Sequence, residues 1–168
     1  MITPGYVHTM ARYNLWQNKE MLAIVGSLPK EERQKNRGSF FGSIEATLYH
    51  LLWGDRIWMS RFDGWDVPKG QIAESVEFAR GWSSYLIERR DADRKILHWS
   101  EGLSEEDLSW ELVWHSHAMG QEVSRPLSLC ITHFINHQTH HRGQIHAMIS
   151  ACGVKPHISD LFFMPDKD

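Results

Sequence analysis

The sequence predicts an all-α fold, a four-helix bundle with a small β-hairpin inserted before the last helix, in one domain spanning residues 1–168. Three observations carry this. Four long stretches place apolar residues at helical spacing, glycine and proline punctuate the connections between them, and one stretch switches to a period of two.

Residues 6–27 carry Met10, Tyr13, Leu15, Met21, Leu22 and Val25 on a helical pattern that Gly26-Ser27-Leu28-Pro29 ends. The polar stretch 30–37, closed by Gly38, reads as a connecting loop holding at most a short turn. A second helix starts with Ser43 as its N-cap and runs to about residue 62, after which Gly64, Pro68 and Gly70 break the chain. The third helix is expected to be the longest, from about 75 to 100, with Phe78, Trp82, Tyr85, Leu86, Ala92 and Ile96 on its pattern and Gly102 as its stop. Between 108 and 126, Trp110, Leu112 and Trp114 alternate with Ser109, Glu111, Val113 and His115, and Ala118-Met119-Gly120 supplies the turn of a hairpin. The last helix opens at Pro126-Leu127 and runs to Ala151 or Cys152, with Gly153 and then Pro156 beyond it. The tail, apolar at Leu161-Phe162-Phe163-Met164, is expected to pack back on the body.

Apolar residues make up 42% of the chain and charged residues 23%, the usage of a folded globular domain. A formal charge of -3 with no long basic run excludes a broad nucleic-acid surface. No stretch approaches the length needed to span a bilayer, and the first residues lack the pattern of a secretory leader. Cys130 and Cys152 fall about six turns apart on one expected helix, out of reach of each other, which points to a reduced, cytoplasmic protein.

Eleven histidines call for a spacing analysis. In the last helix His133, His137 and His141 are four apart, so neighbouring pairs lie on one face and could reach one ion. Relative to the apolar stripe of Leu127, Ile131, Phe134, Ile145, Ile149 and Cys152, His141 lies about 40° from the centre and His137 about 80°, with His133 and His140 well beyond 100°. The inward pair is therefore His137 and His141. Spacing alone leaves a metal pair and a hydrogen-bonded core pair equally open. Among the other histidines His50 stands out, because it lies inside the apolar run Leu48-Tyr49-His50-Leu51-Leu52-Trp53, where an imidazole without a partner would be costly. His115 and His117 alternate on the hairpin and read as a polar turn before a second metal pair. Asp55 falls on an apolar stripe and needs a partner, either an arginine or a ligand that it orients; Gln138 is a comparable inward polar residue.

The stretch from Leu48 to Trp58, the stretch Asn136-His137-Gln138-Thr139-His140-His141-Arg142-Gly143-Gln144 and the N-terminal Ala11-Arg12-Tyr13-Asn14-Leu15-Trp16-Gln17-Asn18 together resemble the DinB/YfiT-like metalloenzyme family, motif by motif and in order. The resemblance implies a dimeric four-helix bundle with a metal held by one histidine of the second helix and an H-x3-H pair of the fourth. Those positions are His50, His137 and His141 here.

Three imidazoles leave coordination positions open, unlike a closed structural zinc site, and they suit zinc, nickel or iron. The expectation is thus a divalent-metal-binding protein, a metal-dependent transferase or hydrolase acting on a small molecule. The resemblance points to a low-molecular-weight thiol. The alternative is a non-catalytic metal-binding or stress-response protein. A homodimer is expected because the second helix is apolar on two sides, with Trp53 and Ile57 on one stripe and Leu48, Leu51 and Trp58 on the other.

Overall fold

A computed structural model describes residues 1–116 and 119–166. Its four long helices are α1 (Pro4–Ser27), α3 (Ile44–Phe62), α4 (Trp82–Glu101) and α5 (Leu127–Ala151), with a short α2 (Lys30–Gln34) inside the first connection. Strands β1 (Glu111–Ser116) and β2 (Gln121–Pro126) pair antiparallel ahead of α5, with Trp114 opposite Val123 and His115 opposite Glu122. Among the described residues no helix is long and apolar enough to cross a membrane.

Local chemistry sets the helix starts. Thr3 accepts the Tyr6 N–H at 3.1 Å through Oγ1, with Pro4 in the first turn, and Ser43 caps α3 by accepting the Ala46 N–H at 3.1 Å. The expected third helix differs from the observed one. It begins at Trp82, because Gly81 adopts φ +102°, and residues Ile72–Glu77 form a separate 3₁₀ segment lying against α3. That detour matters, since it brings Ser75 over the middle of α3.

The bundle core is two apolar halves separated by a polar layer. One half gathers Met21, Val25, Ile44, Leu48, Tyr85 and Ile149; the other gathers Val7, Ala11, Met59, Ile96, Ile131 and Phe134. Between them each long helix contributes buried polar side chains: Asn14 and Asn18 from α1, Asp55 from α3, Arg89 and Asp93 from α4, Gln138 and Arg142 from α5. Arg89 donates to Asp55 at 2.5 Å and pairs with Asp93 at 2.7 Å. Gln138 Nε2 donates to the other Asp55 oxygen at 3.0 Å, Asn18 donates to Asp93 at 2.8 Å, and Arg142 donates to Asn14. Two cations and two carboxylates are thus removed from water as one another's ion-pair and hydrogen-bond partners, with Arg89 Nε and Nη2 and Asn18 Oδ1 left without a hydrogen bond among the described residues. Burial opposes the Arg89 charge, but Asp93 and Asp55 outweigh it and raise its pKa; burial pushes Asp93 up to about 6 and Arg142 down to about 10. Asp55 is therefore paired with an arginine, one of the two roles its position allowed.

Both stripes of α3 are covered by the same chain. Leu48, Leu51 and Trp53 are buried, Ile57 and Trp58 half-buried. Trp53 Nε1 donates to the Lys69 carbonyl at 3.2 Å, while Trp58 meets His133 of α5 and Trp114 of β1. The tail is held through its backbone, with Arg12, Tyr13 and Gln17 donating to the carbonyls of Pro165, Ser159 and Ile158. Among its apolar side chains Val154 packs against the core and Met164 is half-buried, whereas Leu161, Phe162 and Phe163 do not pack inward as expected and are exposed, Phe162 at 79%. The cysteines are free, Cys130 buried and Cys152 half-buried.

Candidate metal centre

His50 projects from α3 at the level of the polar layer, and His137 and His141 project toward it from α5. One ring nitrogen of each lies within 4.8 Å of the other two, and Nε2 of His50 is 3.2 Å from Nε2 of His137. Two nitrogens bound at 2.0–2.1 Å to one tetrahedral ion sit roughly 3.3 Å apart, so this pair already has the spacing of two ligands. The three residues expected from the sequence are brought together, and they could hold a metal ion. His133 and His140 are exposed and lie outside the cluster, as their wheel positions require. His115 is exposed on β1; His117 and Ala118 lie outside the described residues.

Neighbours fix two of the three tautomers. Ser75 Oγ donates to the Ile72 carbonyl at 2.6 Å and so accepts from Nδ1–H of His50 at 2.8 Å, leaving the His50 Nε2 lone pair facing the cluster. Gln144 Oε1 does the same for His141, accepting from its Nδ1 at 2.8 Å. His137 Nδ1 is buried and has no hydrogen-bond partner among the described residues. Burial pushes the pKa of His50 down to about 4 and that of His137 to about 3, and lowers His141 as well. At neutral pH all three are uncharged imidazoles, the form that binds a metal.

Packing holds this geometry. Phe41, from the loop before α3, stacks on His50 with ring centroids 3.9 Å apart, and Trp53 stacks on it at 6.0 Å. Gln138 and Arg142 each follow a cluster histidine by one residue and are locked into the polar layer, which fixes the rotation of α5 about its axis. Gly54, one turn beyond His50, leaves room for the His137 ring. Ser75, Phe41, Gly54 and Gln144 were not singled out from sequence. Of these only Gln144, three residues after His141, had a local signal.

A profile described as the DinB family matches residues 1–167. The chain belongs to the DinB family. It is also 27% identical over 153 residues to Protein DinB of Bacillus subtilis (strain 168), covering 88% of this chain and 87% of that relative. In this DinB family protein the motifs that carry the resemblance are the segments that bring the three histidines together: the middle of α3, the middle of α5 and the α1 stretch whose Asn14 and Asn18 anchor the polar layer behind them.

Proposed function

We propose that this DinB family protein is a metal-dependent enzyme acting on a small molecule, a transferase or hydrolase using a low-molecular-weight thiol, with His50, His137 and His141 holding one zinc, nickel or iron ion. The observation that carries this reading is the convergence of three neutral imidazoles, two with their tautomers set by Ser75 and Gln144. A Lewis acid held there turns a thiol or water into a nucleophile at neutral pH. The chain supplies the surroundings: Phe41 and Trp53 keep water from the His50 side, and the half-buried His137 marks the side from which a substrate approaches. The test is a screen of zinc-, nickel- and iron-loaded protein against several thiols paired with electrophilic and hydrolysable substrates. Turnover that is lost on chelation and in His141→Ala supports the reading, and turnover indifferent to both contradicts it.

One observation favours the non-catalytic alternative. Asp55, a buried carboxylate five residues beyond His50 on α3, has both oxygens committed to Arg89 and Gln138 and is not available as a general base. In that case stoichiometric metal would accompany no turnover with any thiol.

We also propose a homodimer, on the family resemblance; the two-sided apolar helix no longer argues for it, since both sides are covered within one chain. Light scattering at twice the chain mass of 19.6 kDa supports the dimer and a monomer refutes it.

A further inference from the structure

Arg61 stands roughly three turns beyond His50 on α3, and its guanidinium lies over two indoles, 4.6 Å from the ring centre of Trp58 and 5.1 Å from that of Trp114. Among the described arginines that are buried or half-buried, it alone lacks a carboxylate, amide or carbonyl partner. Arg33, Arg37, Arg56 and Arg89 pair with carboxylates, Arg142 with Asn14, and Arg12 with tail carbonyls. Stacking uses the faces of the guanidinium and leaves its in-plane N–H donors unspent. Burial between the rings lowers its pKa, so the charge sits in partly desolvated surroundings, where an anion would be held more strongly than on open surface.

The arginine is connected to the histidine cluster by a continuous run of rings. His137 is 6.0 Å from His133 between ring centres, His133 is 5.1 Å from Trp58, and Trp58 is 5.9 Å from Trp114. All four are half-buried or exposed, so the run lies open to solvent. At its far end Arg61 also lines a groove of about 740 Å³. The carboxylates of that groove are engaged elsewhere: Asp63 by Trp65, Glu101 by His98, Asp107 by Ser104 and Glu111 by Ser124. Three of them are exposed, where salt screens their field.

We infer that Arg61 anchors a terminal oxyanion of the substrate, so that the molecules this site takes have a metal-binding group at one end, an apolar body lying along His133 and Trp58, and an anionic group at the other end. This rests on the proposed metal site and adds the substrate's chemical class. Arg61 is a specificity residue here and takes no part in holding the metal.

The test is calorimetric titration of zinc-loaded protein with a graded series of ω-mercaptocarboxylates, their ω-mercaptosulfonate analogues and the matching neutral ω-mercaptoalcohols. The wild type should prefer an anion of one favoured spacer length over its alcohol by about tenfold or more. In Arg61→Gln that preference should vanish while alcohol affinity and zinc content stay unchanged. An equal preference for carboxylate and sulfonate supports an anchor that reads charge; preference for the carboxylate alone supports one that reads its planar fork. Zinc bound at full stoichiometry with no anion preference at any length, or with a preference that survives in Arg61→Gln, overturns the anchor and leaves the metal site standing. Failure to bind zinc overturns both.

Discussion

Gly54 of α3 and His137 of α5 meet so closely that a methyl group on Gly54 would lie 2.9 Å from Cε1 of the imidazole. No real Cβ tolerates that distance, so Gly54→Ala must displace a ring of the histidine cluster. Within a helix the same substitution is intrinsically favourable by about 0.5–1 kcal/mol. The two effects separate by measurement. Metal affinity of Gly54→Ala should fall by about tenfold or more, as expected for a ligand moved off its geometry, while the melting temperature of the metal-free protein stays level or rises. Unchanged affinity would mean that His137 is free to shift without consequence.

Ser75 acts on the cluster through His50. Removing its hydroxyl takes away the acceptor that holds the proton on Nδ1, and Ser75→Ala should lower metal affinity by about 10- to 100-fold, the range found when the outer partner of a ligand histidine is lost. Competition with a chelator of known affinity reads this directly, and circular dichroism should show the helices intact.

The polar layer should be expensive to open. Asp55→Ala leaves Arg89 with one carboxylate and Gln138 without its acceptor, and should destabilise the protein by about 3–5 kcal/mol in denaturant titration. Arg56→Ala, which breaks the more exposed pair with Glu88 at 3.1 Å, should cost only about 0–1 kcal/mol. Similar losses from the two would show that the layer is not the element joining the four helices.

Acid should weaken the metal-free protein. His50, His137 and His157 have folded pKa values near 4, 3 and 4, all below the usual 6.5, because burial disfavours their charged forms. Below pH 6.5 the unfolded chain therefore binds protons that the folded chain does not, and stability falls as pH drops through the window from about 6.5 to about 4. Asp93 has the opposite sign, since its raised folded pKa favours the folded state as pH falls through about 6. Three histidines against one carboxylate should leave a net decline in melting temperature across this window. A flat profile would contradict the buried, neutral cluster.

Much of this was legible in the sequence. The spacing of apolar residues gave four helices and the hairpin, and the wheel of α5 separated His137 and His141 from His133 and His140. The polar layer has local signals beyond Asp55 and Gln138 themselves. Residues 7, 11, 14, 18, 21 and 25 form one buried stripe of α1 with asparagines at its middle, Arg89 and Asp93 are four apart, and Gln138 and Arg142 repeat the four-residue spacing of the histidines beside them. Which side chain meets which could not be read, because each pairing joins different helices. The start of α4 is not legible, because the pattern through Phe78 and Trp82 continues across Gly81, whose positive φ ends it only in three dimensions. The contact of Ser75 with His50 depends on that break.

The central claim is that His50, His137 and His141 hold one divalent ion, and metal analysis tests it most directly. Protein purified without a histidine tag, loaded and then dialysed, should retain one ion per chain in the wild type, in His133→Ala and in His140→Ala, and should lose most of it in His50→Ala, His137→Ala and His141→Ala. Metal retained equally by all of these variants, or absent from the wild type after loading, would contradict it.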